Sequence, residues 1–285
     1  MTILLYACTL LATVAQSACT KQYHRVATGA ALFNICKAAA ACLLFALLCI
    51  TSFTFHLPTL WYGLLYGCLM CLSMYAGFIA LRLGPMSLTS LIVSFSVLLP
   101  LLYGLFFCNE EFGPLKICGL AALVVALVCA NLGKKNGDQK ETNYPKWLFY
   151  TILTFLSNGM ASILQKQHQI DYTGLYLTEF LLYAMLVCVL VFGVAALCRL
   201  RPRECFTPHR GKRYGLLAGV CSGLVNYGTL ALSGMENASV LFPALSAGTI
   251  LLSLLCGTLL FGERLRWPHY LALAAGTAAI VLLKL

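Results

Sequence analysis

Two ionisable residues lie deep inside apolar stretches of the sequence. Lys37 stands about ten residues into the stretch 27–50, and Glu179 about seven residues into 173–198. An ionisable group is costly in hydrocarbon, so it faces a cavity, a partner or the interface. Lys37 suits an anionic group and Glu179 a cationic group or a proton; together they suit a zwitterion such as an amino acid. The competing readings are a Lys37 that snorkels and a purely structural Lys37–Glu179 pair. Asn34, one helical turn before Lys37, shares its face. Lys21 and Lys166 stand near the ends of their stretches, where a cavity role competes with snorkelling. Gln165, Gln167 and His168 cluster beside Lys166, so some of them point inward; His168 alone reads as an interfacial residue. Tyr75 and the Asn226-Tyr227 pair lie deep in their stretches and are candidates for ligand contact. Tyr66 is nine residues from Tyr75, which places them on opposite sides of a helix. Asn158 with Gly159 makes a polar, flexible spot near mid-stretch. Tyr62 and Tyr214 start stretches and read as interfacial anchors.

Other chemistries lack their residues. The five histidines (His24, His56, His168, His209, His269) are dispersed, with no HExxH and no His–carboxylate cluster. No metal site and no intramembrane enzyme are expected. There is no GxxxxGK[ST] loop, so no ATP hydrolysis by this chain and no cofactor is expected. Most of the fifteen cysteines sit inside apolar runs, where a small, weakly polar side chain packs well. Cys68-x-x-Cys71 has no second pair nearby and reads as packing rather than metal or redox chemistry. A disulfide framework is not expected from this spacing. The net charge of +10 reads as loop charge that orients a membrane protein, not as a nucleic-acid footprint.

The elements that position these residues follow from composition. Of 285 residues, 61% are hydrophobic and 10% charged, with mean hydropathy +0.87; a soluble domain carries about 25% charged residues. A water-soluble enzyme is excluded, and so is a disordered chain. Ten apolar stretches are visible, about 2–19, 27–50, 58–81, 85–107, 114–133, 147–165, 173–198, 214–232, 238–261 and 268–285. Most are long enough to span a bilayer. The first has no basic leader and reads as a retained helix. Pro100 and Pro243 are expected to kink their helices and free carbonyls. Ser94, Ser96, Ser246 and Gly63, Gly67, Gly215 and Gly219 read as points of close helix approach. Glu110 and Glu263 follow their stretches directly and read as interfacial structural groups or parts of gates.

The two halves of the chain resemble one another. Tyr62-Gly-Leu-Leu-Tyr-Gly67 recurs as Tyr214-Gly-Leu-Leu-Ala-Gly219, an offset of 152 that also pairs Tyr75 with Tyr227. Ser17 and Lys21-Gln22 match Ser162 and Lys166-Gln167 at 145, a register that pairs Asn34 with Glu179. Glu110 matches Glu263, and Leu120-Ala-Ala122 matches Leu273-Ala-Ala275. Residues 1–133 then form a first five-helix repeat, 134–146 a basic polar linker and 147–285 a second repeat. Five is odd, so the second copy enters the membrane from the opposite side. The expected fold class is an all-α membrane protein of ten transmembrane helices in two inverted repeats. Inverted repeats characterise secondary transporters, with substrate bound near the midplane between the repeats.

With this layout the chain resembles the drug/metabolite transporter superfamily, in its ten-helix EamA-like branch. The resemblance rests on Phe261-Gly-Glu-Arg-Leu265, on Asn109-Glu-Glu-Phe112 with Gly119, on Gly84-Pro-Met-Ser87 and on Pro100. It implies transport of a small metabolite, amino acid, nucleotide sugar or drug, and it favours a cavity role for Lys21 and Lys166. Gln16 stands in the first stretch, where the superfamily's small four-helix exporters use a glutamate for proton and drug. The resemblance also implies cytoplasmic termini. The charge pattern points the other way, since fifteen of the nineteen basic residues fall on odd-numbered connections. The positive-inside rule then puts those connections in the cytoplasm and the termini outside.

The expected function is a secondary transporter for a small polar or amphipathic metabolite, amino-acid-like by preference, working by alternating access. The alternative is a multidrug or cationic-compound exporter that uses Glu179. Expected partners are the small-molecule substrate, the lipid bilayer and a proton or counter-substrate, with no nucleic acid. The expected state is a monomer or homodimer in the plasma membrane.

Overall fold

The computed structural model describes residues 2–26, 30–50, 53–108, 110, 113–132, 144–199, 209–261 and 267–284. They form ten helical rods: α1 (Thr2–Val26), α2 (Ala30–Cys49), α3 (Leu57–Leu83), α4 (Met86–Ser94 continued by Leu98–Phe107), α5 (Pro114–Leu132), α6 (Tyr144–Asp171), α7 (Leu177–Arg199), α8 (His209–Ser233), α9 (Ala238–Phe261) and α10 (Trp267–Lys284). Gly262 to Leu265, Asn109, Glu111, Phe112 and most of the 134–146 linker lie outside the described residues. α4 is broken by a 3-10 turn at Phe95–Val97. Pro100 has no N–H for the Ser96 carbonyl, and its ring crowds that carbonyl. The turn tightens there, so the distortion expected at Pro100 falls just before it. Pro243 stands inside α9. α6 continues past the apolar stretch to Asp171 because Gln165–Asp171 favours helix even where it is polar. It ends in a turn with Gly174 at φ +71° and Tyr176 at φ +53°.

Eight of the rods are long and apolar enough to cross a membrane; α2 and α10 contribute the shorter apolar segments Phe33–Cys49 and Trp267–Leu283. Large apolar side chains such as Trp61, Phe106, Phe107 and Leu190 are exposed. Long apolar helices with apolar outer faces make this a multi-pass membrane protein.

The chain forms two compact units, Met1–Cys71 with Gln167–Gly234 and Leu72–Lys166 with Met235–Leu285. In the first, α1 packs on α8, and α2 packs on both α7 and α8. Two glycine seats set its close approaches. A Cβ on Gly63 would lie 2.8 Å from both the Phe180 carbonyl and the Tyr183 Cβ, and one on Gly67 2.7 Å from the Ala184 carbonyl. A Cβ on Gly215 would lie 3.0 Å from the Cys36 Cβ, and one on Gly219 2.7 Å from the Ala40 Cβ and against the Lys37 carbonyl. The two YGLLxG motifs therefore do the same work, α3 lying on α7 and α8 on α2. Their seats match Cys36 with Tyr183 and Lys37 with Ala184. That shifts the register by two residues from the pairing read in the sequence, and Asn34 corresponds to Leu181 rather than to Glu179. In the second unit, α9 packs on α10, α4 and α5, and α5 packs on α10.

Candidate functional site

Lys37 is half-buried on α2. Ala38, the next residue, packs with Cys71 and Cys188. Among the described residues no acidic side chain pairs with the Lys37 ammonium. Glu179 is 4% exposed in the first turn of α7. Its Oε1 accepts from the Thr54 N–H at 3.2 Å and the Thr54 hydroxyl at 3.3 Å, and its Oε2 from the Thr178 hydroxyl at 3.0 Å. A carboxylate is favoured at this end of a helix by the unpaired N–H groups there. Cys188 is level with Ala38, and Glu179 lies nine residues before it, about 13 Å along α7 at 1.5 Å per residue. Lys37 and Glu179 are therefore at different depths, and the expected convergence is corrected. Glu179 fastens the chain around Thr54, while Lys37 stands apart from the acidic side chains among the described residues.

Around Glu179 lies a polar and aromatic cluster that the sequence reading found only in part. His168 and Gln169 are 0% and 1% exposed, so the His168 ring is enclosed by protein. Gln169 accepts the Gly174 N–H at 2.9 Å through Oε1. Its amide nitrogen therefore donates to His168 Nδ1 at 3.0 Å. That makes Nδ1 the acceptor and leaves the ring proton on Nε2, which donates to the Thr59 hydroxyl at 3.2 Å. The Thr59 hydroxyl also lies 2.9 Å from His56 Nδ1, within hydrogen-bond distance. The three bonds from the Gly174 N–H through Gln169 and His168 to Thr59 share one polarity. The His56 ring stacks on Tyr176 at 4.4 Å and meets the edge of Tyr172 at 4.7 Å. This stack holds Tyr176 at a φ that a non-glycine residue adopts rarely. Tyr62 donates to Asp171 at 2.6 Å, so it is more than an anchor. The available signal was the density of polar residues at Gln165–Asp171 beside the His56-x-x-Thr59 spacing.

The remaining candidates separate by unit. In the first, buried Asn226 accepts from the Tyr66 hydroxyl at 2.7 Å and donates to the Ser222 carbonyl at 2.8 Å. Tyr227 is half-buried on α8. Lys21 is half-buried on α1, two residues before Tyr23, which packs on Phe33 and Ala218. In the second, half-buried Asn158 accepts from the Ser73 hydroxyl at 2.7 Å. Gln165 is buried, and Tyr75 is 49% exposed where Tyr66 is buried. Lys166 is buried and its Nζ donates to the Glu236 carbonyl at 2.8 Å. Glu110 accepts from the Ala238 N–H at 2.7 Å and the Ser239 N–H at 2.9 Å, so it caps α9. Gly104 makes room for that carboxylate, since a Cβ there would lie 2.7 Å from Glu110 Oε2. Glu263 lies outside the described residues.

No protein-family model matches the chain. No curated protein sequence matches it either. Among solved structures it is similar to a protein determined by crystallography, with a TM-score of 0.82 at 12% identity, over 100% of this chain and 98% of that one. At that identity the likeness establishes a shared fold.

Proposed function

We propose that the chain is a secondary transporter for a small polar or amphipathic metabolite bearing an anionic group. In this reading its ten helices cross the membrane as two inverted five-helix repeats and work by alternating access. The observation that carries the proposal is Lys37, an intramembrane lysine with no acidic partner among the described residues. Intramembrane charge is retained where it serves a ligand, an ion path or a partner. The helix pairings support the repeats. Moving each helix five places along the chain turns α2·α8 into α7·α3 and α9·α10 into α4·α5, and leaves α2·α7, α5·α10 and α4·α9 unchanged. The resemblance to the drug/metabolite transporter superfamily fits the same layout. The exporter alternative drew on Glu179 as a cavity acid. That carboxylate is engaged by Thr54 and Thr178, which favours the anion-binding reading.

The test is uptake into liposomes of a panel of amino acids, sugars and cationic dyes, with and without a pH gradient. Saturable uptake of a carboxylate-bearing solute is expected. Uptake of none of them, under either condition, refutes the carrier.

A further inference from the structure

Cys71 and Cys188 are the thiols that the transport reading leaves unused. Their Sγ atoms are 3.6 Å apart in the first unit. The Cys71 S–H donates to Cys188, whose own S–H is directed at the Gly67 carbonyl at 3.9 Å. Both residues are buried, packed with Ala38 and flanked by Met70, Val189 and Phe192. The glycine seat explains the approach. Gly67 sits on Ala184, and Cys71 and Cys188 each follow by four residues, about one turn, along helices that run the same way. The helices are already close enough for a bridge, and the sulfurs need to close by about 1.5 Å to reach bonding distance.

We propose that Cys71–Cys188 is a redox-modification site, a dithiol that a small neutral peroxide converts into a disulfide joining α3 to α7. Hydrogen peroxide oxidises one thiol to a sulfenic acid and is itself reduced, leaving one water. The second sulfur attacks the sulfenic sulfur, the S–S bond forms and the S–O bond breaks. The departing hydroxide takes the second thiol's proton as another water. One peroxide is consumed for one disulfide, and a dithiol reductant reverses the step by exchange. Burial excludes a bulky charged oxidant such as oxidised glutathione and admits peroxide. The proposal does not depend on the transport reading.

The test is peroxide treatment of the full chain in phospholipid vesicles, followed by N-ethylmaleimide alkylation, digestion and mass spectrometry without reductant. A linked Cys71–Cys188 peptide is expected; it should disappear after dithiothreitol and be absent when oxidised glutathione replaces peroxide. Cys71→Ser should abolish disulfide formation at Cys188, and Cys68→Ser, which changes an exposed thiol, should leave the link intact. Peroxide that oxidises other cysteines without forming this link overturns the proposal. So does a Cys188 disulfide that survives Cys71→Ser, or a link lost in Cys68→Ser.

Discussion

Gly67→Ala adds one methyl group at the point where α3 lies on α7. The new Cβ would stand 2.7 Å from the Ala184 carbonyl oxygen, 2.9 Å from the Val187 Cβ and 3.1 Å from the Ala184 Cα. Comfortable carbon contacts are about 3.5–4.0 Å, so the helices must part by nearly 1 Å. None of the three atoms can swing aside, because two are backbone and one is a Cβ. Overpacking of this kind costs about 1–3 kcal/mol, and rigid neighbours place the cost near the upper end. Alanine returns up to about 1 kcal/mol of helix propensity. The net loss is about 2 kcal/mol, roughly a thirtyfold fall in the folded-to-unfolded ratio. Gly193→Ala is the control on the partner helix α7, since its Cβ would meet only the Ile35 Cδ1 at 4.0 Å. It should be neutral or stabilising by up to about 1 kcal/mol. Unfolding in mixed micelles followed by tryptophan fluorescence reads both. A Gly67→Ala protein as stable as Gly193→Ala would refute the glycine-seat reasoning.

Three further outcomes follow from the same geometry. Gly219→Ala should lose about as much stability as Gly67→Ala, because its Cβ meets the Lys37 carbonyl and the Ala40 Cβ; a neutral result in the same assay would deny that the two motifs are equivalent. Glu110→Ala should cost about 2 kcal/mol by removing a charged cap from two N–H groups, and Glu110→Gln less, since one acceptor oxygen remains. Nitrogen NMR of labelled His168 should find the proton on Nε2, and Gln169→Leu should remove that preference; a proton on Nδ1 in the wild-type chain would contradict the hydrogen-bond chain.

The helices were legible because apolar length is a strong signal. The stretch 238–261 coincides with α9, and 114–133 starts where α5 starts. α6 ran longer than its stretch because helix formation does not stop where hydropathy does, and the seven residues Gln165–Asp171 became its polar end. The YGLLxG motifs were legible as packing sites. Their partners on α7 and α2 were not, because an offset between similar segments does not fix which residues they rest on. Glu179 could not be separated from Lys37 in the sequence, since depth depends on how helices are staggered. The sequence places Glu110 directly after the fourth apolar stretch, but its role depends on N–H groups 128 and 129 residues away. The polar cluster around His168 was visible in the sequence, but its link to His56 and Thr59 was not, because those residues come from a segment 109 residues away.

The carrier reading is tested most directly by counterflow in proteoliposomes. Vesicles preloaded with an unlabelled amino acid should accumulate the labelled one faster than empty vesicles. Lys37→Met should abolish that acceleration while the purified protein keeps wild-type unfolding behaviour. Trans-acceleration that persists undiminished in Lys37→Met would contradict the assignment of Lys37. Absence of trans-acceleration in the wild-type chain for every solute it takes up would contradict alternating access itself.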